Sequence, residues 1–103
     1  MYTNIEDSMY YLKSEYNLQG FRKSTRKGKM YDALLINKDT GKIIKVPFGD
    51  STMGNYQDKT GLNLYPQLIH GDKKRRSAFQ SRFKHFLKDG YYSPGDFSFR
   101  ILW

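Results

Sequence analysis

The chain has 103 residues, 38% of them hydrophobic and 17% aromatic, and 18 Lys and Arg against 10 Asp and Glu give a formal net charge of +8. This length predicts a single domain, residues 1–103, with one modest core, and the absence of cysteine excludes disulfides and thiolate metal sites. Because a positive net charge attracts phosphate polymers and acidic protein surfaces, polyanions are the first partners to consider.

The N-terminal segment is predicted to form an amphipathic helix. Thr3 and Glu6 have capping-box spacing, and apolar residues then recur at helical intervals up to Tyr16, with an end near Gly20. The segment has acidic residues where a secretory signal needs a basic start, and the longest aliphatic run, residues 33–36, is short. Neither a signal peptide nor a membrane span is therefore expected.

An antiparallel hairpin is predicted at residues 31–48. Residues 31–37 and 42–48 are rich in β-prone side chains, and the turn between them ends in a glycine that can take a positive φ. A further strand at residues 21–25 would extend the hairpin into a three-stranded meander. Residues 50–69 are rich in Gly, Asn, Asp, Thr and Ser, which predicts a long loop.

A basic helix is predicted at residues 72–88. Asp72 has the position of an N-cap, and apolar residues then recur at i, i+4, i+7 and i+8. Large rings have to supply much of the buried area in this chain. The residues expected to enter the core for this reason are Phe79, Phe83, Phe86 and Trp103.

The C-terminal segment has two competing patterns. Ser93 as a cap, Pro94 at the first helical position and Asp96 three residues after the cap favour a short helix. The alternating apolar residues from Phe97 to Ile101 are typical of a strand instead. We favour the helix, so the expected fold class is α+β: a small antiparallel sheet of two or three strands packed against the N-terminal and basic helices.

The basic helix contains two kinds of cation. Arg75 and Arg82 fall within one helical turn of Phe79, whereas the lysines lie on the opposite side. Arginine is better suited than lysine to a partly buried bond with a carboxylate. We therefore expect Arg75 or Arg82 to bond Asp50 or Asp72 and so to hold the fold together.

The remaining cations form two clusters, one in residues 22–29 and one on the outer side of the basic helix. They could form a continuous surface for phosphates or acidic partners, with Tyr and Phe nearby for base stacking. They could equally be a solvated face that keeps the protein soluble. The residues concerned are Arg22, Lys23, Arg26, Lys27, Lys29, Lys73, Lys74, Lys84 and Lys88.

A catalytic interpretation would use His70, Asp72 and His85 with Asp50, since these residue types bind divalent metals or transfer protons. Their spacing matches no zinc motif, and the sequence has no P-loop and no Gly-x-Ser-x-Gly. A His-x-Asp before a helix is more often a junction in which the Asp caps and the His bonds a backbone carbonyl. We therefore expect no catalytic residue, no metal ligand and no cofactor.

The order and spacing of several motifs from Lys45 to the end resemble a family of small uncharacterised proteins of tailed bacteriophages and large DNA viruses. The pattern is K-V-x-F-G-D, then H-x-D-x-x-R-R-x-x-F-x-x-R, then S-P-G-D-F-S and a C-terminal L-W. The sequence departs from it at Lys73, where a proline is common, and at Arg82 to His85, where an Arg-His pair is split. The residues expected to form a fold-defining cluster are Phe48, Gly49, Asp50, His70, Asp72, Arg75, Arg82 and Trp103.

The resemblance implies a viral origin and residence in or on the particle, and it implies no established activity. Residues 45–103 would be the family-like core, and residues 1–44 would add the N-terminal helix and the basic hairpin. The expected function is that of a non-enzymatic virion component that binds capsid or portal-region proteins, and as a further option packaged DNA without sequence specificity. An intracellular nucleic-acid-binding regulator and a metal-dependent nuclease are the alternatives. No membrane partner is expected, and before assembly the protein would be in the host cytoplasm.

Overall fold

The segment that precedes the hairpin is extended, not helical. The structure is a computed structural model that describes residues 10–103, except for the side chain of Phe86. Two strands occupy the region, β1 (Tyr11–Leu12) and β2 (Tyr16–Lys23). The predicted N-terminal helix is therefore wrong for residues 10–20, because pairing with a neighbouring strand outweighs a weak helical periodicity. Thr3 and Glu6, the proposed cap of that helix, lie outside the described residues.

The predicted hairpin is confirmed, and it is the centre of a three-stranded antiparallel sheet. The hairpin consists of β3 (Lys29–Asn37) and β4 (Ile43–Asp50), and the strand order is β2-β3-β4. Its register pairs Ile36 with Ile43 near the turn and Lys29 with Asp50 at the far end. The additional strand expected at residues 21–25 is confirmed for residues 21–23 as the end of β2, which begins earlier and contains a bulge between Leu18 and Gly20.

Buried residues lie on both faces of this sheet. Tyr31, Ala33 and Leu35 are buried on one face of β3, and Met30 and Asp32 are buried on the other. Residues that alternate along β3 point to the same side, as the pleat of a strand requires. Phe48 of β4 lies against Phe97 from the C-terminal segment, with ring centroids 5.4 Å apart. The buried hydrophobic residues are Met30, Tyr31, Ala33, Leu35, Val46, Phe48, Phe97, Leu102 and Trp103.

The basic helix, α1 (Lys73–Phe83), begins where the sequence predicts. The carboxylate of Asp72 accepts hydrogen bonds from the backbone N–H groups of Lys74 and Arg75, at 2.9 and 3.2 Å. The helix ends earlier than predicted, because the chain tightens into a 3-10 turn at Lys84–Phe86. No helix in residues 10–103 is long and apolar enough to cross a membrane.

The C-terminal segment closes the fold against the sheet. Strand β5 (Tyr91–Tyr92) pairs with β1, and α2 (Pro94–Phe97) follows and packs next to β4. Ser93 Oγ accepts a hydrogen bond from the Asp96 N–H at 3.0 Å, so the predicted cap is confirmed. A π-helical turn, Ser98–Leu102, continues the helix, and the strand alternative for residues 97–101 is wrong. The fold is thus α+β, with a three-stranded and a two-stranded sheet.

The predicted core residues have different environments. Trp103 is buried, as expected, but Phe79 is only partly buried and Phe83 is half-buried. No described side chain of α1 is fully buried. The helix therefore lies at the edge of the core because the sheet and the C-terminal segment already cover each other. The side chain of Phe86 is outside the described part of the chain.

Candidate anion-binding cleft

A cleft of about 540 Å³ lies between the sheet and α1. It is lined by the start of β3, the end of β4 with the following loop, one side of α1, and the C-terminal segment. Pockets that bind small ligands typically measure roughly 300–1,000 Å³. The cleft is therefore large enough to hold a ligand group and is not only a packing defect.

One wall of the cleft is aromatic. The rings of Phe79 and Trp103 are stacked, with centroids 4.2 Å apart and planes 5° apart. Phe83 follows one turn later on α1, with its ring centroid 4.6 Å from that of Phe79. The guanidinium carbon of Arg82 lies 5.1 Å from the Phe83 ring centroid, which is a cation–π contact. The i, i+4 spacing of the phenylalanines places both rings on the cleft side of the helix.

The charged residues that line the cleft are mostly basic. Among the described lining residues, Lys29, Arg75 and Arg82 are cations and Asp50 is the acid. Asp50 accepts hydrogen bonds from the Thr52 hydroxyl at 2.6 Å and the Thr52 N–H at 2.8 Å, and these bonds lower its pKa. The carboxylate is thus ionised and already bonded within its own turn. Because three cations line the cleft with this one carboxylate, the lining has a net positive charge and favours an anionic ligand.

The three cations come from distant parts of the chain. Lys29 begins β3 and belongs to the predicted cluster at residues 22–29, whereas Arg75 and Arg82 are on α1. In the register of β3 and β4, Lys29 lies opposite Asp50, at the end of the sheet that faces the helix. The fold therefore brings one predicted binding residue together with two arginines that the sequence analysis assigned a structural role.

The predicted bond between the guanidinium group of Arg75 or Arg82 and a carboxylate is wrong within residues 10–103. Ion pairs in this range join Arg22 to Asp32 at 3.4 Å, and both Arg100 and Lys13 to Asp96, at 2.7 and 3.8 Å. The expected acids are engaged locally, since Asp72 caps α1 and Asp50 bonds Thr52. No carboxylate in residues 10–103 therefore forms an ion pair with Arg75 or Arg82, and both can bind an anionic ligand in the cleft.

Arg76 has the tethering role that was expected of its neighbours. Its Nε donates a hydrogen bond to the Trp103 backbone oxygen at 2.8 Å, and its guanidinium lies 4.7 Å from the Tyr56 ring centroid. Gln80 also contacts the Trp103 oxygen, at 3.4 Å. These contacts fix α1 against the C-terminal residue and hold the cleft in shape.

The His70 and Asp72 pair forms the junction before α1. Asp72 is a cap as predicted, because its carboxylate accepts the Lys74 and Arg75 N–H groups. The Asp72 N–H donates to His70 Nδ1 at 2.9 Å, so this ring nitrogen accepts a hydrogen bond and does not donate to a carbonyl as expected. Burial lowers the pKa of His70, the Arg75 charge lowers it further, and Asp72 opposes both. No group of three His, Asp or Glu residues in the described range is arranged to hold a metal ion.

Gly54 allows the long loop to approach this junction. A Cβ on Gly54 would lie 3.2 Å from a ring carbon of His70 and 3.5 Å from a guanidinium nitrogen of Arg75. The His70 ring in turn lies 5.2 Å from the Trp103 ring. The loop, His70 and Trp103 therefore form one packed wall next to Arg75.

The other predicted binding cations lie outside the cleft lining. Arg22 is paired with Asp32, and Lys88 lies over the rings of Tyr91 and Tyr10, at 4.6 and 5.0 Å from their centroids. The remaining ones are exposed on the β2–β3 turn and on or near α1. They are Lys23, Arg26, Lys27, Lys73, Lys74 and Lys84.

The cleft itself was not predicted from the sequence. The sequence feature that could have indicated the cleft is the spacing of Phe79, Arg82 and Phe83 on one helical face. Packing of this face against the core explains the same spacing equally well. Comparisons of the chain with protein-family models, curated proteins and solved structures gave no match. The chemistry of the cleft therefore rests on its own geometry: an aromatic wall, three cations and one locally bonded acid.

Proposed function

We propose that this chain is a non-enzymatic component of a viral particle that binds packaged DNA through its basic surface, with the cleft at the centre of the contact. One observation carries the DNA contact. Lys29 from the hairpin and Arg75 and Arg82 from α1 line the same cleft, and the ion pairs in residues 10–103 leave all three out.

Phosphate is the ligand group that these side chains suit best. Arginine binds phosphate through its planar fork, and lysine binds it as a point charge. Further exposed cations lie on the β2–β3 turn, which leads into Lys29, and on the outer side of α1, where they add to the positive charge around the cleft. Contacts of this kind position a nucleic acid without reading its sequence.

The particle part of the proposal rests on the resemblance to viral proteins. The motifs that carry it include Gly49, Arg75 and Arg82, which line the cleft. The binding of an acidic surface on a capsid or portal-region protein is the alternative for the same cations. The two partners differ in a measurable way, because duplex DNA has a much higher and more regular charge density than a protein surface.

A salt titration with matched charge variants tests the DNA contact. We expect the affinity of wild-type protein for a fluorescent duplex to fall steeply with salt. The cleft variant K29Q/R75Q/R82Q should bind more weakly, and the logarithmic salt slope should become shallower by about 0.9 for each phosphate that the variant no longer neutralises. The control variant K38Q/K42Q/K59Q removes the same charge from exposed lysines outside the cleft lining and should keep the wild-type slope.

Two results would contradict the proposal. If the affinity of the cleft and control variants fell equally, only the net charge would matter and the cleft would have no special role. If the wild type did not bind the duplex at low salt, packaged duplex DNA would not be the partner. Circular dichroism of both triple variants has to show the wild-type fold before the slopes are compared.

A further inference from the structure

We infer that the cleft accepts one unstacked base of a single-stranded nucleic acid while Lys29, Arg75 and Arg82 bind the adjoining phosphates. This inference rests on the proposed DNA contact and specifies the form of the nucleic acid. Phosphate binding alone requires only exposed cations, which the chain has in many places. A concave site with an aromatic wall requires a ligand that also has an apolar, planar part.

The arrangement of charge and rings matches a nucleotide. Arg75 and Arg82 are exposed, Phe79 and Phe83 are partly buried, and Trp103 is buried. The charges therefore lie toward the solvent and the rings lie deeper in the cleft. A strand that passes across the opening would meet the cations with its phosphates and could direct a base inward, which is how aromatic platforms bind single strands.

The aromatic wall is extended by an arginine. The ring contacts run from Trp103 through Phe79 to Phe83, and the Arg82 guanidinium lies against Phe83. A planar guanidinium is itself a surface on which bases stack, and it adds a cation–π contribution. Arg82 therefore could contact both a phosphate and a base.

A duplex cannot use this wall without removing a base from its stack. In a duplex both faces of each base are covered by neighbours, and extracting a base has an energetic cost. This cost is much smaller for a single strand. We therefore expect a preference for single-stranded over duplex DNA at equal phosphate number and equal salt.

Trp103 provides a direct readout, because it is the one tryptophan of the chain and lines the cleft. A short oligothymidylate should quench its fluorescence on binding. Inorganic polyphosphate and a short duplex, which present phosphates without an exposed base, should bind with little quenching. If polyphosphate quenched Trp103 as strongly as the oligothymidylate does, the base would not be in the cleft.

A matched pair of variants tests the aromatic wall. Phe83→Leu removes a ring and keeps an apolar side chain, and it should weaken oligothymidylate binding roughly 5- to 100-fold while polyphosphate binding stays at the wild-type level. Phe99→Leu is the control, since Phe99 is also half-buried and lies 6.3 Å from Phe79 but outside the cleft lining. It should leave both affinities unchanged. An equal reduction for both ligands in Phe83→Leu would overturn the inference.

A second pair keeps the test valid if Phe83→Leu proves unstable. Ala78 is exposed and lines the cleft, whereas its neighbour Ser77 is exposed and does not. Ala78→Leu narrows the cleft without changing a charge, and it should reduce oligothymidylate binding and spare polyphosphate binding. Ser77→Leu should have no effect on either ligand. Equal affinity of Ala78→Leu and Ser77→Leu for the oligothymidylate would contradict the inference.

The outcomes separate this inference from the proposed function. If the wild type binds duplex and polyphosphate as tightly as the single strand, the base site is absent and the phosphate contact remains. If the wild-type protein binds neither the single strand, nor the duplex, nor polyphosphate at low salt, both proposals fail. A preference for the single strand that depends on Phe83 or on the volume at residue 78 supports both.

Discussion

Gly49 is a residue whose identity is set by two separate constraints. Its φ is +77°, and a Cβ at this position would lie 2.9 Å from Leu102 Cδ1 and 3.1 Å from Met30 Sδ. The first constraint is backbone strain, which costs roughly 1–2 kcal/mol for a residue with a side chain. The second is overpacking against two buried core residues, which typically costs about 1–3 kcal/mol.

We therefore expect Gly49→Ala to lower the free energy of unfolding by the sum of both effects, measured by chemical denaturation. Gly41→Ala is the matched control, because Gly41 has a φ of +73° and no atom within 4 Å of its hypothetical Cβ. It should show the backbone effect alone. Equal destabilisation in the two variants would mean that the contact with Leu102 and Met30 relaxes without cost.

The carboxylates show why residue roles were harder to predict than residue positions. Helical spacing correctly placed Arg75 and Arg82 on the side of α1 near Phe79. Their predicted acids were wrong, because short aspartate side chains bond nearby backbone groups in preference to distant arginines. Asp72 caps its own helix and Asp50 bonds Thr52, two residues away. The cleft could not be predicted, since it depends on the position of β3 relative to α1.

At the level of elements, the predictions succeeded where the signal was local. The hairpin turn, the cap of α1 and the Ser93-Pro94 start of α2 are each specified within a few residues. The N-terminal helix failed beyond residue 10 because the alternative depends on distant partners. β2 pairs with β3, and β1 pairs with β5 at the other end of the chain. Helical spacing of a few apolar residues contains no information about those partners.

The position of α1 at the edge of the core leads to a prediction about two phenylalanines. Phe48 of β4 is fully buried, whereas Phe83 of α1 is half-buried. Phe48→Ala should therefore cost about 3–5 kcal/mol, which is enough to unfold a domain of this size. Phe83→Ala should cost clearly less and leave a folded protein, because solvent already reaches part of the Phe83 side chain.

Thermal and urea unfolding followed by circular dichroism distinguish the two variants. The control is Phe48→Leu, which keeps most of the buried volume and should be less destabilising than Phe48→Ala. If Phe83→Ala unfolded the protein as completely as Phe48→Ala, α1 would be part of the core, and the cleft would be a gap within it.

At the level of the whole molecule, the two ends of the described chain are joined. β1 pairs with β5, and Lys13 Nζ lies 3.8 Å from Asp96 Oδ1, a carboxylate that is almost fully buried and also bonds Arg100. The core takes residues from the hairpin and from the C-terminal segment alike. The basic hairpin and the C-terminal motifs therefore contribute to one packed structure, and the cleft combines residues from both.

The last prediction follows from the proposed location of the protein in a viral particle. If the chain is a virion component, mass spectrometry of purified particles should find it at a fixed copy number that matches a symmetry of the shell. In gently disrupted particles it should sediment with the DNA at low salt and be released at high salt or by nuclease, because phosphate contacts depend on counterion release.

The control is a protein of the empty shell, whose sedimentation should not change with salt or nuclease. Retention on the shell after nuclease treatment would identify a capsid or portal-region partner instead. Abundance in infected cells together with absence from particles would indicate an intracellular role and would remove the particle part of the proposal.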